Sequence, residues 1–196
     1  MLGKILQADA YVKWHRSAEY YSRPIKGSWA VEGGGALMPE LTAPATSVSL
    51  PTTAIYEAVD RAGNVYVADR GNNRIRRIEA FTQRVSTVAG NGTFNAVSSG
   101  PATSSGLPSP SSIAVDADNA LYTTSGHRVV RIDPTGTMQV IAGSIQGGFA
   151  GDGAPGLNAR FNAPSTVRID GTTLLVADKF NHRIRTLTPV RAPGFV

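Results

Sequence analysis

The sequence contains no cysteine, so disulfide bonds and thiolate metal ligands are excluded. Its only histidines are His15, His127 and His182, which leaves few imidazole ligands for a metal centre. No apolar run approaches the roughly 18 residues that a membrane-spanning helix needs, so the sequence predicts no membrane span. The first residues make a poor signal peptide, because Asp9 and Lys13 interrupt a short apolar core.

What remains is an ordinary globular composition, with 196 residues of which 41% are hydrophobic and 17% charged. Its 21 glycines and 12 prolines are scattered, as expected when many short strands need many turns. The net charge of +5 is concentrated at the start, where residues 1–30 hold five basic and two acidic side chains. The repeat region is therefore only weakly basic, which disfavours nucleic acid as its partner.

An internal repeat dominates the chain and aligns residues 58–78, 114–132 and 168–187. The landmarks of the alignment recur 53–56 residues apart: Asp60, Asp116 and Asp170; Arg74, Arg128 and Arg183; and the Ala-Gly pairs at 89–90 and 142–143. Three independent landmarks with one period indicate that the same structural unit occurs three times.

Each repeat unit predicts four short strands, which in the first unit are TTAIYEAV, NVYVAD, RIRRIE and RVSTVAG. Turn sequences rich in Asp, Asn and Gly separate these runs, and no stretch shows a convincing helical period. Four antiparallel strands per unit are typical of a β-propeller blade. We therefore predict an all-β fold with blades near residues 52–90, 111–143 and 165–190.

The segments VYVADRGNNRIRRI, LLVADKFNHRIRTL and the weaker LYTTSGHRVVRI resemble NHL repeats. The glycine-rich linkers that follow residues 89 and 142 resemble those of bacterial NHL proteins and teneurin-type propellers. The resemblance covers roughly residues 29–190 and implies the fold, but the family includes enzymes, receptors and RNA binders, so it implies no single function. Many bacterial members are exported, so the localisation stays unknown.

We expect an aromatic and basic non-repeat segment at residues 1–28, followed by an NHL-type propeller region at residues 29–196. About three blades per chain are too few for a closed propeller, which has four to eight, so we expect a homodimer that completes a six-bladed ring. The third unit lacks an obvious fourth strand, and a spare one at residues 26–31 of a partner chain fits that place. A fragment of a longer propeller would show the same pattern, and that alternative stays open.

Charged residues flank the turn between the second and third strands of each unit, and we predict that they stabilise the blade. We expect Asp69 to pair with Arg74, and Asp178 with Arg183. The second unit keeps Arg128, with Thr124 in the place of the aspartate. All of these positions except Thr124 are assigned to the stability of the blades.

The same turns and the linkers share one end of a propeller, where ligands commonly bind. On this candidate ligand face we place Asn73, His127, His182, Phe149 and Asp152. Equivalent turns of adjacent blades lie too far apart for two histidines to reach one metal ion, so no metal and no cofactor is predicted.

The sequence shows no nucleophile elbow, no carboxylate pair with a partner base and no histidine-rich metal motif, so no catalytic residue is assigned. This favours a non-catalytic binding or scaffold propeller with a protein or glycan ligand. A lyase or hydrolase acting at the channel mouth, and an RNA-binding NHL propeller, are the alternatives.

Overall fold

The computed structural model describes residues 57–188, which form twelve strands and three single turns of 3-10 helix. None of these helical turns is long or apolar enough to span a bilayer. The 3-10 turns are Arg70–Asn72, Gly156–Asn158 and Lys179–Asn181. The strands are β1 (Glu57–Val59), β2 (Val65–Asp69), β3 (Arg74–Ile78), β4 (Val85–Ala89), β5 (Gly100–Pro101), β6 (Ile113–Val115), β7 (Leu121–Ser125), β8 (Arg128–Ile132), β9 (Thr137–Gly143), β10 (Thr166–Asp170), β11 (Thr173–Asp178) and β12 (Arg183–Leu187).

These strands build three antiparallel sheets, one for each repeat unit. Sheet 1 has the order β1-β2-β3-β4, sheet 2 the order β5-β9-β8-β7-β6, and sheet 3 the order β10-β11-β12. The predicted all-β antiparallel fold is confirmed. The predicted segment at residues 1–28, the beginning of the repeat region up to residue 56, and residues 189–196 lie outside the described residues.

Sheet 2 departs from the four predicted strands, because part of the linker joins it. Gly100 and Pro101 of β5 pair with Met138 and Thr137 at the outer edge of β9. A Gly-Pro pair has little strand propensity of its own. The edge of β9 therefore imposes the extended conformation on the linker.

An aspartate closes the turn between the first two strands in sheets 1 and 2. The Asp60 carboxylate accepts hydrogen bonds from the main-chain N–H of Ala62 and Asn64 and, at 3.2 Å, from the Tyr66 hydroxyl. Burial raises the pKa of Asp60, but hydrogen bonds, the Asn64 side-chain amide foremost at 2.8 Å, outweigh it, so the pKa lies below its ordinary value. Asp116 makes the same contacts in sheet 2, which explains the repeated aspartate.

The hydrophobic core lies between consecutive sheets. One cluster joins sheets 1 and 2 through side chains such as Ile75 and Leu121, and the other joins sheets 2 and 3 through Val129 and Val167. Each linker adds buried side chains to its cluster, the largest being Leu107 in the first linker and Phe161 in the second. Burying a side chain of this size contributes roughly 1.5–3 kcal/mol, so the linkers are part of the core.

Candidate functional site

The turns between the second and third strands meet the linkers at one end of the structure, which we call the turn–linker face. It comprises residues 70–73, 126–127 and 179–182 from the turns and residues 90–112 and 144–165 from the linkers. Gly90 and Gly143, at the ends of β4 and β9, lie directly against the main chain of Asn73 and His127. Both glycines have a positive φ, of +85° and +91°, and a Cβ at either position would overlap the neighbouring carbonyl oxygen.

Two residues predicted on the ligand face tie neighbouring sheets together. The Asn73 side-chain oxygen accepts the main-chain N–H of Ser109 at 2.9 Å, and His127 Nδ1 accepts that of Ala163 at 3.0 Å. Ser109 and Ala163 are equivalent positions with the same left-handed backbone, at φ 46° and 47°. We call this contact the inter-sheet tie.

His182 occupies the third equivalent position at the end of its 3-10 turn. It is exposed, and within residues 57–188 its imidazole makes no hydrogen bond. Its role on the ligand face stays a prediction.

Replacing His127 with leucine is expected to lower the free energy of unfolding by about 1–3 kcal/mol, because the Ala163 N–H loses its acceptor. His127→Asn is the matched control, since Asn73 performs the same function in sheet 1. Urea unfolding of the two variants and the parent measures both values. Equal loss in His127→Asn and His127→Leu would contradict the inter-sheet tie.

The predicted pairing of Asp69 with Arg74 is wrong. Arg74 stands directly opposite Asp69 in the strand register, but its guanidinium donates to the Asn91 carbonyl oxygen of the linker at 3.2 Å. Arg76, the diagonal neighbour, donates to the Asp69 carboxylate instead, at 3.3 Å. The Asn72 amide adds a second donor to Asp69 at 3.0 Å.

The predicted pairing of Asp178 with Arg183 is also wrong, although the two residues stand opposite each other in the strand register. Arg185, two residues further along β12, approaches the Asp178 carboxylate at 3.6 Å. The guanidinium of Arg183 instead lies over the Phe149 ring, 3.9 Å from its centre.

In sheet 2, the position that corresponds to Asp69 and Asp178 holds no acidic residue and forms no ion pair. Its turn is two residues shorter, so the register places Ser125, and not Thr124, opposite Arg128. The Ser125 hydroxyl donates to the Pro108 carbonyl oxygen at 2.5 Å, and Arg128 donates to that of Val97 at 2.6 Å. These contacts to linker carbonyls fit the predicted structural role of Arg128, which stays a prediction.

Arg185 is the side chain that the sequence interpretation missed. It is only 8% exposed, yet it donates to the carbonyl oxygens of Arg160 at 2.7 Å and Ala150 at 2.8 Å and pairs with Asp152 at 2.6 Å. The ring of Phe161 lies 4.6 Å from its guanidinium. The signal was available, because the Arg-Ile-Arg sequence occurs in both the first and third units.

The predicted ligand-face residues do not form one site. Phe149 and Asp152 lie together beside Arg183 and Arg185, whereas Asn73 and His127 are engaged between sheets. A cavity of about 480 Å³ runs along β12 and is lined by Gly151, Asp152, Gly153, Ala154, Gly156, Ala159 and Arg183–Leu187. Within residues 57–188, no three His, Asp or Glu side chains converge as metal ligands would.

The turn–linker face also carries apolar side chains that stand in solvent. Phe94 and Ile145 on the linkers are 75% and 74% exposed, and Phe180 on the third turn is 56% exposed. The Lys179 ammonium lies 4.9 Å from the centre of the Phe180 ring. Sequence pattern alone does not distinguish these exposed side chains from Phe161, which is buried.

Comparison with known proteins places the chain by its repeat and by its fold. Residues 58–78 match the family model described as the NHL repeat. No curated protein matches the sequence. A structural genomics protein of unknown function from Bacteroides thetaiotaomicron superposes with a TM-score of 0.57 at 22% identity, over 63% of this chain and 32% of that one.

Two further solved structures show the same fold. An auxiliary nutrient binding protein from Bacteroides thetaiotaomicron has a TM-score of 0.52 at 20% identity, over 66% of this chain and 36% of that one. A streptogramin B lyase has a TM-score of 0.50 at 14% identity, over 72% of this chain and 40% of that one. The chain thus spans between 32% and 40% of the length of these three structures. These findings confirm the resemblance seen in the repeats: the chain contains an NHL repeat and has the fold of β-propeller proteins.

Proposed function

We propose that this chain is a non-catalytic binding or scaffold protein, with about three blades of a six-bladed ring that a second copy completes. Its turn–linker face binds a protein segment. The observation that carries the ligand proposal is the exposure of Phe94, Ile145 and Phe180 on the turn–linker face, outside the two core clusters that lie between the sheets.

The charges around these residues indicate the chemistry of the ligand. Arg70, Arg160 and Lys179 are exposed on the turn–linker face, whereas its one acidic residue, Asp152, is paired with Arg185. Apolar contacts surrounded by cationic side chains suit a protein segment with apolar and acidic side chains.

The alternatives are less well supported by this face. A base or sugar could stack on only two of the three exposed side chains, the rings of Phe94 and Phe180, whereas a protein segment can use Ile145 as well, which favours protein over single-stranded RNA or glycan. The streptogramin B lyase shares the fold, and fold alone does not carry its activity to this chain.

The ligand proposal predicts that Phe94→Ser, Ile145→Ser and Phe180→Ser together remove binding. The probe is a peptide selected from a random display library on the immobilised chain, with its Kd measured by calorimetry. Loss of three apolar contacts of about 1–2 kcal/mol each corresponds to at least a hundredfold rise in Kd. Phe81→Ser is the matched control, because Phe81 is 94% exposed in the turn between β3 and β4, at the opposite end.

Selected peptides should be acidic and apolar, and their Kd should be unchanged by Phe81→Ser. Peptides that bind the triple variant as tightly as the parent would contradict the proposal. The RNA or glycan alternative would be favoured by a different result. In that case no selected peptide binds, the parent retains a poly-uridine probe or a printed glycan, and the triple variant does not.

A further inference from the structure

We infer that the cavity along β12 is the place of a fourth strand of sheet 3, and that residues 27–33 of a second copy of this chain fill it. The inference rests on the proposed two-copy ring and not on the proposed ligand.

Sheet 2 contains the fourth strand that sheet 3 lacks within residues 57–188. β9 lies between β8 on one side and the linker strand β5 on the other. In sheet 3 the cavity lies between β12 and the corresponding part of the second linker, residues 151–156. The cavity therefore has a strand edge on one wall and linker main chain on the other, as the position of β9 does.

The exposure of Ile184 is the second observation. Ile75 and Val129, at the same position of β3 and β8, are completely buried beneath β4, β9 and the following sheet. Ile184 is 69% exposed in β12. A side chain that two sheets bury and the third exposes marks the face on which another unit packs.

His182 gives a third observation that agrees with the first two. Its equivalents Asn73 and His127 each accept an N–H from the linker that enters the next sheet. A second copy seated against β12 would supply His182 with the same partner, a main-chain N–H just before its β1.

The occupant is identified by its sequence. Residues 27–33, GSWAVEG, align with RVSTVAG of β4 and TMQVIAG of β9, and place Gly33 where those strands end in Gly90 and Gly143. Residues 57–188 hold three sets of first, second and third strands but only two fourth strands, β4 and β9, and residues 27–33 offer a third sequence of that type. Glu32 departs from the pattern, because it stands where β4 and β9 have a buried alanine.

A second copy, rather than the same chain, is the expected donor. A ring of three blades is smaller than any closed propeller, which has at least four, whereas two copies give six. In a two-fold pair each copy supplies one strand and receives one, so both seams are equivalent.

The register makes the inference testable by a cross-link in a chain without native cysteine. Arg77 pairs with Ser86, and Arg131 with Gln139, so Thr186 should stand opposite Trp29 of the partner. Directly opposite residues of antiparallel strands are roughly 4.5–5.5 Å apart, within disulfide range. The full-length variant Trp29→Cys/Thr186→Cys is oxidised, and Ala30→Cys/Thr186→Cys, with one cysteine on the other face, is the matched control.

The expected result is a covalent dimer of twice 20.6 kDa on non-reducing gels for the first pair and none for the control. A disulfide within one chain, or equal linking in both variants, would overturn the assignment of residues 27–33. A dimer by light scattering that gives no cross-link would also overturn it, while leaving the two-copy ring in place.

Ile184→Asp tests the same face without cysteine. Because Ile184 is exposed in the single chain, the variant should keep the β circular dichroism of the parent but lose the dimer, with the dissociation constant raised at least a hundredfold. Phe81→Asp, equally exposed but away from β12, should leave the mass unchanged. A parent mass of 20.6 kDa at all concentrations would overturn the inference.

Discussion

Arg185→Met is expected to lower the free energy of unfolding by about 3–5 kcal/mol, the range for removing one partner of a buried ion pair. The variant leaves the fully buried Asp178 without its cation and removes one donor each from the Ala150 and Arg160 carbonyl oxygens, of which Ala150 keeps the main-chain N–H of Arg160. Methionine retains the apolar stem, so the loss reports the polar contacts. Urea unfolding monitored by circular dichroism measures it.

The matched control is Arg76→Met, at the equivalent position of sheet 1. Arg76 is partly exposed and holds Asp69 and Thr87 but no linker carbonyl, so we expect a loss of about 1–2 kcal/mol. Sheet 2 has Ser125 and Val130 at these two positions. The double variant Asp178→Ser/Arg185→Val should therefore lose less than the sum of its single variants, and strict additivity would contradict a coupled pair.

Gly143→Ala is expected to lower the free energy of unfolding by about 3–4 kcal/mol, from left-handed strain together with steric overlap. A Cβ at this position would meet the His127 carbonyl oxygen and lie 2.9 Å from the Arg128 Cα. These are main-chain atoms at the crossing of β9 and the turn, so neither can move aside without breaking the sheet.

Gly136→Ala separates the two causes. Gly136 also has a positive φ, of +84°, but no atom lies within 4 Å of the added Cβ. Its substitution should cost about 1–2 kcal/mol from strain alone. Equal losses at positions 136 and 143 would mean that the close crossing contributes nothing.

The sequence was sufficient for features that depend on local chemistry. Asp60 and Asp116 fix turns through hydrogen bonds to residues no more than six positions away, so their period reveals the strands between them. The Ala-Gly pairs mark the ends of β4 and β9 because only glycine fits both the backbone angle and the space.

Features set by the path of the linkers could not be predicted in this way. Asp69 pairs with Arg76 because Arg74 donates its hydrogen bond to the linker carbonyl oxygen of Asn91. The position of that carbonyl depends on the path of the linker. β5 forms only because β9 offers an edge, against the propensity of Gly100 and Pro101.

The candidate site shows the same limit. Phe149 and Phe161 belong to the same linker, but only Phe161 is fully buried, and Phe149 is 46% exposed beneath Arg183. The two linkers are similar in composition, and burial depends on which side chain faces the gap between sheets. Exposed residues such as Phe94 and Ile145 therefore become visible only with the fold.

The short strand β5 bears on aggregation. Pro101 occupies the outer edge of sheet 2 and has no N–H to donate, so no further strand can extend the sheet with a complete ladder. Pro155 holds the corresponding position in the second linker, outside the cavity along β12. A strand seated in that cavity would leave sheet 3 with the same blunt edge, whereas the outer edge of β12, with which no strand of residues 57–188 pairs, would allow chains to stack at high concentration.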